Sequence, residues 1–488
     1  MSPAPFLAAL ALIAGALPAA ELPRSTPEAE GVSARDLLNF VTAADARAHR
    51  IHSVVVVRHG RIIAEGYWAP FTAGQHQMMY SLSKSFTSTA VGLAIAEGKI
   101  GLYDPVLKYF PGDAPEGVSR NLRSLRVHDL LRMSSGQSEA EIQAFPYDGA
   151  PDMIRAFLAM PVTSKPGTLW FYNSAATFML SAIVQRATGQ TVFDYLTPRL
   201  FAPLGFAAPT WELTRQGITR GYSGLRIRTR DIARFGQLML QHGQWEGRQL
   251  VPADWVRAAT SFQASNGTDP DSDWEQGYGY QFWRCRYGAV RGDGAYGQYC
   301  IMLPAQDAVV AITSGTDDMP AELSLVWTYL LPAFRPAPLP ADGAADQALR
   351  SRLDTLTIPP VEGGAAAPAD VEGRTFQAQL SDGPASCTFQ GSTVVIRRGG
   401  HEKRIPVAPG RWTIGSASAC SGAWVADHEF VLQTQDLTLP FLATLRLTFH
   451  GDEVMVSLDQ LPRTDDFHPL LGVRAMAVPA AAGGGHGT

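Results

Sequence analysis

The sequence predicts an α/β (α+β) fold in which an antiparallel sheet flanked by helices is followed by a C-terminal all-β domain. β-rich runs occur at 53–68, around a His-Gly turn, and return at 278–285, 298–303 and 308–313. Between them, at about 126–260, apolar residues recur at helical spacing, which predicts a helical insertion within the domain. From about residue 371, short alternating runs separated by Gly, Asp and Pro indicate the all-β domain.

The composition is that of a large folded protein. Of the 488 residues, 46% are hydrophobic, 9% aromatic and 17% charged, which excludes a mostly disordered chain. The formal net charge of -5 at pH 7 leaves no basic surplus. Nucleic acid is therefore not an expected partner.

The N-terminal residues 1–20 are expected to be a signal peptide. Their apolar stretch at 6–17 is too short to span a bilayer and is followed by small residues, although no Lys or Arg precedes it. No later segment approaches the roughly 18 apolar residues of a membrane span. The protein is therefore expected to be exported, to the periplasm or outside the cell.

Changes in composition divide the rest of the chain. A first domain is expected over 21–335, because all candidate catalytic motifs fall there. A segment rich in Pro, Ala and Gly at 336–370 predicts a linker with a short helix at about 347–356. The β-rich accessory domain follows at 371–475, and 476–488 is expected to be a disordered tail.

The four cysteines, Cys285, Cys300, Cys387 and Cys420, leave two interpretations open. In an oxidising compartment they could pair within each half of the chain, or all four could be buried thiols. They contain no Cys-x-x-Cys pair, so a structural zinc site is not expected. No cofactor is predicted.

One Ser-x-x-Lys occurs in the chain, from Ser81 to Lys84, where the first long helix is expected to begin. Positions i and i+3 share a helix face, so the hydroxyl and the amine can hydrogen-bond. A serine hydroxyl is a poor nucleophile until a neighbour takes its proton. Desolvation in a cleft would lower the pKa of Lys84 and suit it to that task. The backbone N–H of Ser81, at the helix start, could stabilise an oxyanion.

Two further segments could complete a site. Tyr172 ends a loop that leads into a helix, and its phenol could contact the Ser–Lys pair. A nearby ammonium would favour the phenolate, so either Lys84 or Tyr172 could be the base. Taken alone, Tyr172 is more often an ordinary half-buried aromatic. Glycines at 292–297 would let the backbone approach a ligand closely, and the strand after them could supply a second oxyanion N–H, from Gln298. The alternative is a plain glycine-rich turn.

Together these segments, in this chain order, resemble the serine hydrolases of the class C β-lactamase, DD-peptidase and esterase superfamily. The resemblance covers about 22–333 and includes YSLSKSFTS, VHDLLRMSSG and GQYCIMLPAQDAVVAITSG. It implies the β-lactamase/transpeptidase-like fold, with Ser81 as nucleophile, Lys84 as its proton partner and Tyr172 as the tyrosine of the Tyr-x-Asn element. Residues 295–297 take the place of Lys-Thr-Gly.

Two departures from that pattern concern the substrate. Ser174 replaces the Asn of Tyr-x-Asn, and Ala295-Tyr296-Gly297 replaces Lys-Thr-Gly, so an amide and a cation suited to β-lactam recognition are missing. These features are more similar to the esterases and 6-aminohexanoate-dimer hydrolases of the superfamily. Ser174, Tyr296, Gly297 and Trp170 are the candidate substrate-binding residues, and an uncharged aromatic pocket would suit an apolar acyl group.

The expected function is that of a serine acyl hydrolase acting on ester or amide bonds of small molecules. The alternatives are a β-lactamase, a DD-peptidase or other D-amino-acid hydrolase, and a protein that binds penicillin without turnover. The oligomeric state is left open.

Overall fold

The computed structural model describes residues 21–46, 50–147, 149–380, 383–463 and 470–478. The expected signal peptide, and residues 479–488 of the expected tail, lie outside this set. Within these described ranges, no helix combines the length and the apolar character needed to cross a bilayer.

A six-stranded sheet forms the centre of the first domain, in the order β2-β1-β11-β10-β9-β8, and all neighbouring strands are antiparallel. Because β1 pairs with β11, both ends of the domain contribute to one sheet, which confirms the predicted architecture. The strands of this domain are β1 (Ile51–Arg58), β2 (Arg61–Tyr67), β3 (Gln77–Met78), β4 (Thr210–Trp211), β5 (Leu225–Ile227), β6 (Gln244–Trp245), β7 (Arg248–Gln249), β8 (Trp283–Arg284), β9 (Val290–Gly294), β10 (Gln298–Leu303) and β11 (Ala308–Ser314).

Helices cover both faces of the sheet. The α-helices are α1 (Ala34–Asp45), α2 (Ser83–Ala96), α3 (Arg120–Ser124), α4 (Val127–Leu131), α5 (Glu139–Gln143), α6 (Met153–Ala159), α7 (Ser174–Thr188), α8 (Val192–Leu196), α9 (Thr229–Leu240), α10 (Ala253–Thr260), α11 (Met319–Leu325) and α12 (Gly343–Asp354). Short 3-10 turns lie at Glu28–Glu30, Tyr80–Leu82, Val106–Tyr109, Arg286–Gly288, Pro304–Gln306 and Leu331–Ala333, and π turns at Thr197–Phe201 and Val326–Leu330.

Alternation along the strands explains why the run of valines at 54–57 is continuous. Val55 and Val57 pack with helices α2, α7 and α9, whereas Val54 and Val56 pack with α1 and α11. Successive side chains of a strand point to opposite faces, so a sheet covered on both sides needs apolar residues at every position. The helical insertion therefore lies on one face, and the two ends of the domain on the other.

The strand predicted at 278–285 is reduced to β8. Gln281 has a φ of 65°, in the left-handed region, which interrupts the extended run. Its buried side chain donates to the carbonyls of Leu130 and Leu131 at 3.2 and 2.8 Å and accepts from Thr177 at 2.6 Å. These long-range hydrogen bonds to two helices favour a conformation that local β propensity does not predict.

The C-terminal domain is all-β, as predicted, and consists of one ten-stranded sheet in the order β15-β14-β13-β12-β21-β20-β19-β18-β17-β16. A cluster of aromatic and aliphatic side chains forms its interior. Its strands are β12 (Thr375–Leu380), β13 (Gly383–Gln390), β14 (Thr393–Arg398), β15 (His401–Pro406), β16 (Thr413–Ile414), β17 (Ser418–Ala426), β18 (Glu429–Asp436), β19 (Leu442–His450), β20 (Glu453–Leu461) and β21 (Leu470–Ala477).

The segment 336–370 contains the expected short helix, but this helix is packed on the first domain. Ala345 and Leu349 of α12 are buried in the same cluster as α1. A Cβ added at Gly66 in β2 would lie 2.8 Å from side-chain atoms of Leu353 and Leu356. Part of the expected linker thus covers the sheet.

All four cysteines are buried free thiols, which decides between the two interpretations of the sequence. The side chains of Cys285 and Cys300 belong to different clusters on opposite faces of the six-stranded sheet, so they cannot pair. Burial raises the pKa of Cys285 to about 11 and that of Cys300 to about 12. Thiols with such pKa values stay protonated and unreactive at neutral pH.

We predict that Gly92→Ala destabilises the protein, because a Cβ at this position of α2 would overlap the indole of Trp255 in α10. Overpacking should lower the free energy of unfolding by about 1–3 kcal/mol, even though alanine favours helix by up to about 1 kcal/mol. Chemical denaturation measures the change. Gly112→Ala is the control, since an added Cβ there has nothing within 4 Å; equal stability of the two variants would contradict the prediction.

Candidate active site

Ser81 lies in the 3-10 turn Tyr80–Leu82, immediately before α2 begins. Lys84, on the first turn of α2, donates from Nζ to Ser81 Oγ at 2.9 Å and to the carbonyl oxygen of Tyr222 at 3.0 Å. Ser81 is half-buried, whereas Lys84 is buried. The structure thus brings together the hydroxyl and the amine of the Ser-x-x-Lys motif, with the hydroxyl on the accessible side.

Two glycines of β9 allow this strand to lie directly against the Ser81 turn. A Cβ at Gly292 would come within 2.5 Å of the Leu82 side chain and 2.7 Å of Ser85 Oγ. A Cβ at Gly294 would overlap the carbonyl oxygen of Met79. Distances this short do not occur between real side chains and their neighbours, so only glycine permits the approach. The glycine-rich segment therefore accommodates the protein's own backbone next to the candidate nucleophile.

The surroundings of Lys84 favour its neutral form. Burial lowers the pKa of Lys84 to about 7, and the negative charge of Asp293 acts in the opposite direction. The Nζ atom lies 4.9 Å from the centroid of the Tyr172 ring. At neutral pH a substantial fraction of the Lys84 amine is therefore unprotonated and able to accept a proton.

Tyr172 completes the group around Lys84. Its ring stacks on Trp283 at 5.5 Å between centroids, and Trp170 contacts Trp283 edge-on at 5.6 Å. Burial raises the pKa of the Tyr172 phenol above its usual value, with a further increase from the charge of Asp293 and an opposing effect of the Ser81 hydroxyl. Tyr172 is thus held as a neutral phenol next to Ser81, and Trp170 supports it through Trp283.

Asn173 is a residue of this region that the sequence analysis missed. It caps α7, because its Oδ1 accepts from the backbone N–H of Ala176 at 3.0 Å. Its Nδ2 donates to Ser135 Oγ at 3.1 Å, and the side chain is fully buried. An Asn directly before a helical pattern is a cap signal that could have identified it. The cap fixes the start of α7 and with it the position of Tyr172.

Ser174 lies on the first turn of α7, where its side chain hydrogen-bonds with Tyr147. The Tyr147 ring packs 5.2 Å from the ring of Tyr222, whose carbonyl holds Lys84. Burial raises the pKa of Tyr147 to about 12. Tyr147 belongs to no recognised motif, and no signal in the sequence indicated it.

The hairpin between β9 and β10 carries the candidates Tyr296, Gly297 and Gln298. Tyr296 and Gly297 have φ values of 67° and 86°, and a Cβ at Gly297 would overlap the Glu322 carboxylate. The Gln298 side chain donates to the carbonyl oxygens of Ser314 at 2.7 Å and Tyr296 at 3.2 Å, which stabilises the turn. In the strand ladder, Gln298 lies opposite Gly294, next to the Ser81 turn. Its backbone N–H as an oxyanion donor stays a prediction.

Asp293 is a third residue that the sequence analysis missed. Its carboxylate is 7% exposed and pairs with Nε of the fully buried Arg291 at 2.9 Å. Its charge raises the pKa of both Lys84 and Tyr172. The sequence shows Asp293 only as part of a glycine-rich segment, because its influence depends on burial and on the strand's place beside α2.

Comparison with known proteins identifies the family. A family model described as Beta-lactamase matches residues 24–333. The chain belongs to the β-lactamase family. This confirms the resemblance found in the sequence. Because the relatives of the chain include hydrolases, the protein is an enzyme of the serine hydrolase type.

The relatives within this family include amide and ester hydrolases. A 6-aminohexanoate-dimer hydrolase of Paenarthrobacter ureafaciens is 31% identical over 291 residues, which are 54% of this chain and 72% of the relative. The esterase EstB of Burkholderia gladioli is 26% identical over 178 residues, 31% of this chain and 44% of the esterase. A solved structure, a putative 6-aminohexanoate-dimer hydrolase from Bacillus anthracis, is 20% identical with a TM-score of 0.53, and covers 64% of this chain and 87% of that one. At 20% identity, the similarity to this solved structure shows the fold alone.

We predict that the reactivity of Ser81 depends on the ionisation of Lys84. Below the Lys84 pKa of about 7, the rate of labelling by a fluorophosphonate should rise about tenfold per pH unit, and it should level above that pH because the amine is then neutral. Asp293→Asn removes a charge that raises this pKa, so the midpoint should move to lower pH.

The rate of labelling as a function of pH measures both effects. Asp254→Asn is the control, since this carboxylate is 89% exposed. A midpoint that stays in place or moves upward in Asp293→Asn would contradict the role given to Asp293.

Proposed function

We propose that the protein is a serine acyl hydrolase that cleaves ester or amide bonds of small molecules through an acyl-enzyme on Ser81. The observation that carries the proposal is the hydrogen bond from the buried Lys84, with its lowered pKa, to a half-exposed Ser81 hydroxyl. A serine next to a neutral amine has the base it needs to become a nucleophile.

In the first half of the reaction, Ser81 Oγ attacks the carbonyl carbon of the substrate while its proton passes to the neutral Nζ of Lys84. The bond from the carbonyl carbon to the alcohol or amine then breaks, and a proton returns to that leaving group. Tyr172 suits this second transfer, because its raised pKa keeps the phenol protonated and the Lys84 ammonium can restore its proton. Lys84 is thus the proposed base, and Tyr172 the proposed proton donor.

In the second half, water attacks the acyl group on Ser81 and the same two side chains act again. Lys84 takes the proton of the water, and the Ser81 oxygen leaves with a proton supplied through Tyr172. The developing oxyanion in both halves would accept hydrogen bonds from the backbone N–H groups of Ser81 and Gln298. Their locations, in the turn before α2 and at the start of β10, support this assignment.

The substrate is proposed to be an uncharged ester or amide. Ala295 stands where β-lactamases carry a lysine, and Ser174 is hydrogen-bonded to Tyr147. The amide and ester substrates named for the two relatives agree with this proposal. β-Lactams and D-amino-acid peptides are less suitable, since their carboxylate lacks the lysine as a partner.

Ser81→Ala should abolish both fluorophosphonate labelling and ester hydrolysis, because it removes the nucleophile. Lys84→Ala and Tyr172→Phe should each reduce hydrolysis by orders of magnitude, and the effects of the three substitutions should be strongly non-additive when combined. Mass spectrometry of the labelled peptide and steady-state kinetics are the measurements. Ser88→Ala is the matched control, because this buried hydroxyl on α2 has no hydrogen-bond partner among the described residues. Labelling at Ser83 or Ser223 with Ser81 unmodified would refute the proposal.

Short-chain p-nitrophenyl esters should be cleaved far faster than β-lactams. A substrate that leaves buried polar groups unpaired can lose roughly 10⁴–10⁵ in kcat/KM. Kinetics with p-nitrophenyl butyrate and nitrocefin, each corrected for the Ser81→Ala background, test this expectation. A kcat/KM for nitrocefin that equals or exceeds that for the ester would make the protein a β-lactamase, and an acyl-enzyme that forms without release would make it a penicillin-binding protein without turnover.

A further inference from the structure

The interior of the C-terminal domain contains a cavity. The ten-stranded sheet curves far enough for β15, at one edge, to contact β17, close to the other edge. The cavity has a volume of about 210 Å³ and is lined from six consecutive strands of the sheet order, β14-β13-β12-β21-β20-β19. Apart from Ser386, Cys387 and Arg398, the described residues that line it are aliphatic or aromatic. It is therefore an apolar space inside the domain.

The cavity exists because small side chains meet at one level of the sheet. Ala378 faces Ala385 across the β12–β13 ladder. The register of β12 with β21, continued by two residues, brings Ala475 to the other side of Ala378. Farther along the interior, aromatic rings fill the space, and the rings of Phe389 and Trp424 pack at 4.9 Å between centroids. Methyl groups cannot fill the volume that rings fill, so the interior stays open at the level of the alanines.

Larger aliphatic side chains surround the alanines without filling the space between them. In β19, Leu445 and Leu447 line the cavity, whereas Arg446 between them is exposed. Leu445 is only half-buried, and so are Leu380 of β12 and Ile396 of β14, which also line the cavity. A water molecule needs two to four polar partners, and such walls do not supply them. The cavity therefore favours an apolar occupant.

The volume of the cavity sets the size of its occupant. An apolar cavity of about 150 Å³ holds a benzene molecule, and this one, at about 210 Å³, is larger. A methylene group takes up about as much space as a water molecule in the liquid, which is about 30 Å³. The cavity thus accommodates a chain of about seven carbon atoms.

Arg398, the last residue of β14, is the one charged residue among the described residues that line the cavity. It follows Val394 and Ile396 at intervals of two, so all three belong to the inner face of the strand. Its side chain is exposed, which shows that the cavity reaches water at this end. A guanidinium has five N–H donors, so it can bind a carboxylate besides the contacts that it makes within the protein.

We propose that the C-terminal domain binds an unbranched aliphatic carboxylate of about eight carbon atoms, with its chain in this cavity and its carboxylate at Arg398. The apolar walls recognise the chain, the volume limits its length, and the guanidinium recognises the charged end. This site lies in a different domain from Ser81 and does not depend on the proposed function.

The first experiment measures the dissociation constants of hexanoate, octanoate and dodecanoate for the full-length protein by equilibrium dialysis. Burial of one methylene group should tighten binding about fourfold, so octanoate should bind about 16-fold more tightly than hexanoate. Dodecanoate should gain little more, because its additional carbons exceed the cavity. An affinity that keeps rising by the same factor up to dodecanoate indicates adsorption to an open surface and overturns the inference, as does a lack of binding by all three.

The second experiment fills the cavity. Ala475→Leu adds three carbon atoms at its wall, so the affinity for octanoate should fall tenfold or more. Ala426→Leu, at an exposed position of β17, is the control and should bind octanoate as the wild type does. Thermal unfolding checks the fold of each variant, and Ala378→Leu replaces Ala475→Leu if the latter does not fold. Octanoate binding that is unchanged in the folded, filled variant lies elsewhere in the protein and overturns the inference.

The third experiment tests the charged end of the ligand. Arg398→Gln should weaken the binding of octanoate about tenfold, because a hydrogen bond between charged groups is lost, and it should leave the binding of 1-octanol unchanged. If octanoate and 1-octanol bind the wild type equally well, or lose the same factor in Arg398→Gln, the carboxylate is not recognised and the proposed ligand class is wrong. Labelling of Ser81 by a fluorophosphonate should be unaffected in all these variants, which separates this site from the catalytic one.

Discussion

The burial of one ammonium group is the constraint on which the rest of the site depends. Removing a charged amine from water costs several kcal/mol unless the charge is paired or given up. Lys84 donates to the Ser81 hydroxyl and to the carbonyl oxygen of Tyr222, and its Nζ lies over the ring of Tyr172. The nearby carboxylate of Asp293 is itself paired with Arg291. The proton of Lys84 is therefore weakly held, and the pKa falls to about 7. Three elements set this balance. Helix α2 carries Lys84, strand β9 packs against the turn before α2 and carries Asp293, and Tyr172 places its ring 4.9 Å from Nζ.

Features that depend on neighbouring residues could be predicted from the sequence. The hairpin of β1 and β2 follows from two β-rich runs around a His-Gly turn, and α2 and α7 follow from helical spacing. The contact between Ser81 and Lys84 is equally local, because positions i and i+3 of a helix always face each other. The two glycines of β9 were expected to let the backbone approach a ligand. In the structure, the protein's own turn before α2 lies against them instead.

Features that depend on tertiary burial could not be predicted. Asp293 is an unremarkable acidic residue in the sequence, and it affects the candidate site only because β9 buries it with Arg291. Gln281 breaks an expected strand because its side chain finds partners on α4 and α7. Tyr147 becomes the partner of Ser174 through the folding of the helical insertion. In each case the deciding partner lies far away in the chain, so neither periodicity nor spacing within a short window carries the information.

The arrangement of the two domains follows from the same sheet. Because both faces of the six-stranded sheet are apolar, the face opposite α2 is also covered, and α1, α11 and α12 share one buried cluster with its strands. Helix α12 packs against β2, which brings the chain back across the domain before the C-terminal strands begin. Leu437 enters the same cluster from the C-terminal domain. Burial of this second face therefore anchors the loop 437–441, which joins β18 to β19. The carbonyl oxygen of Thr438 in this loop accepts a hydrogen bond from the backbone N–H of Met78, three residues before Ser81.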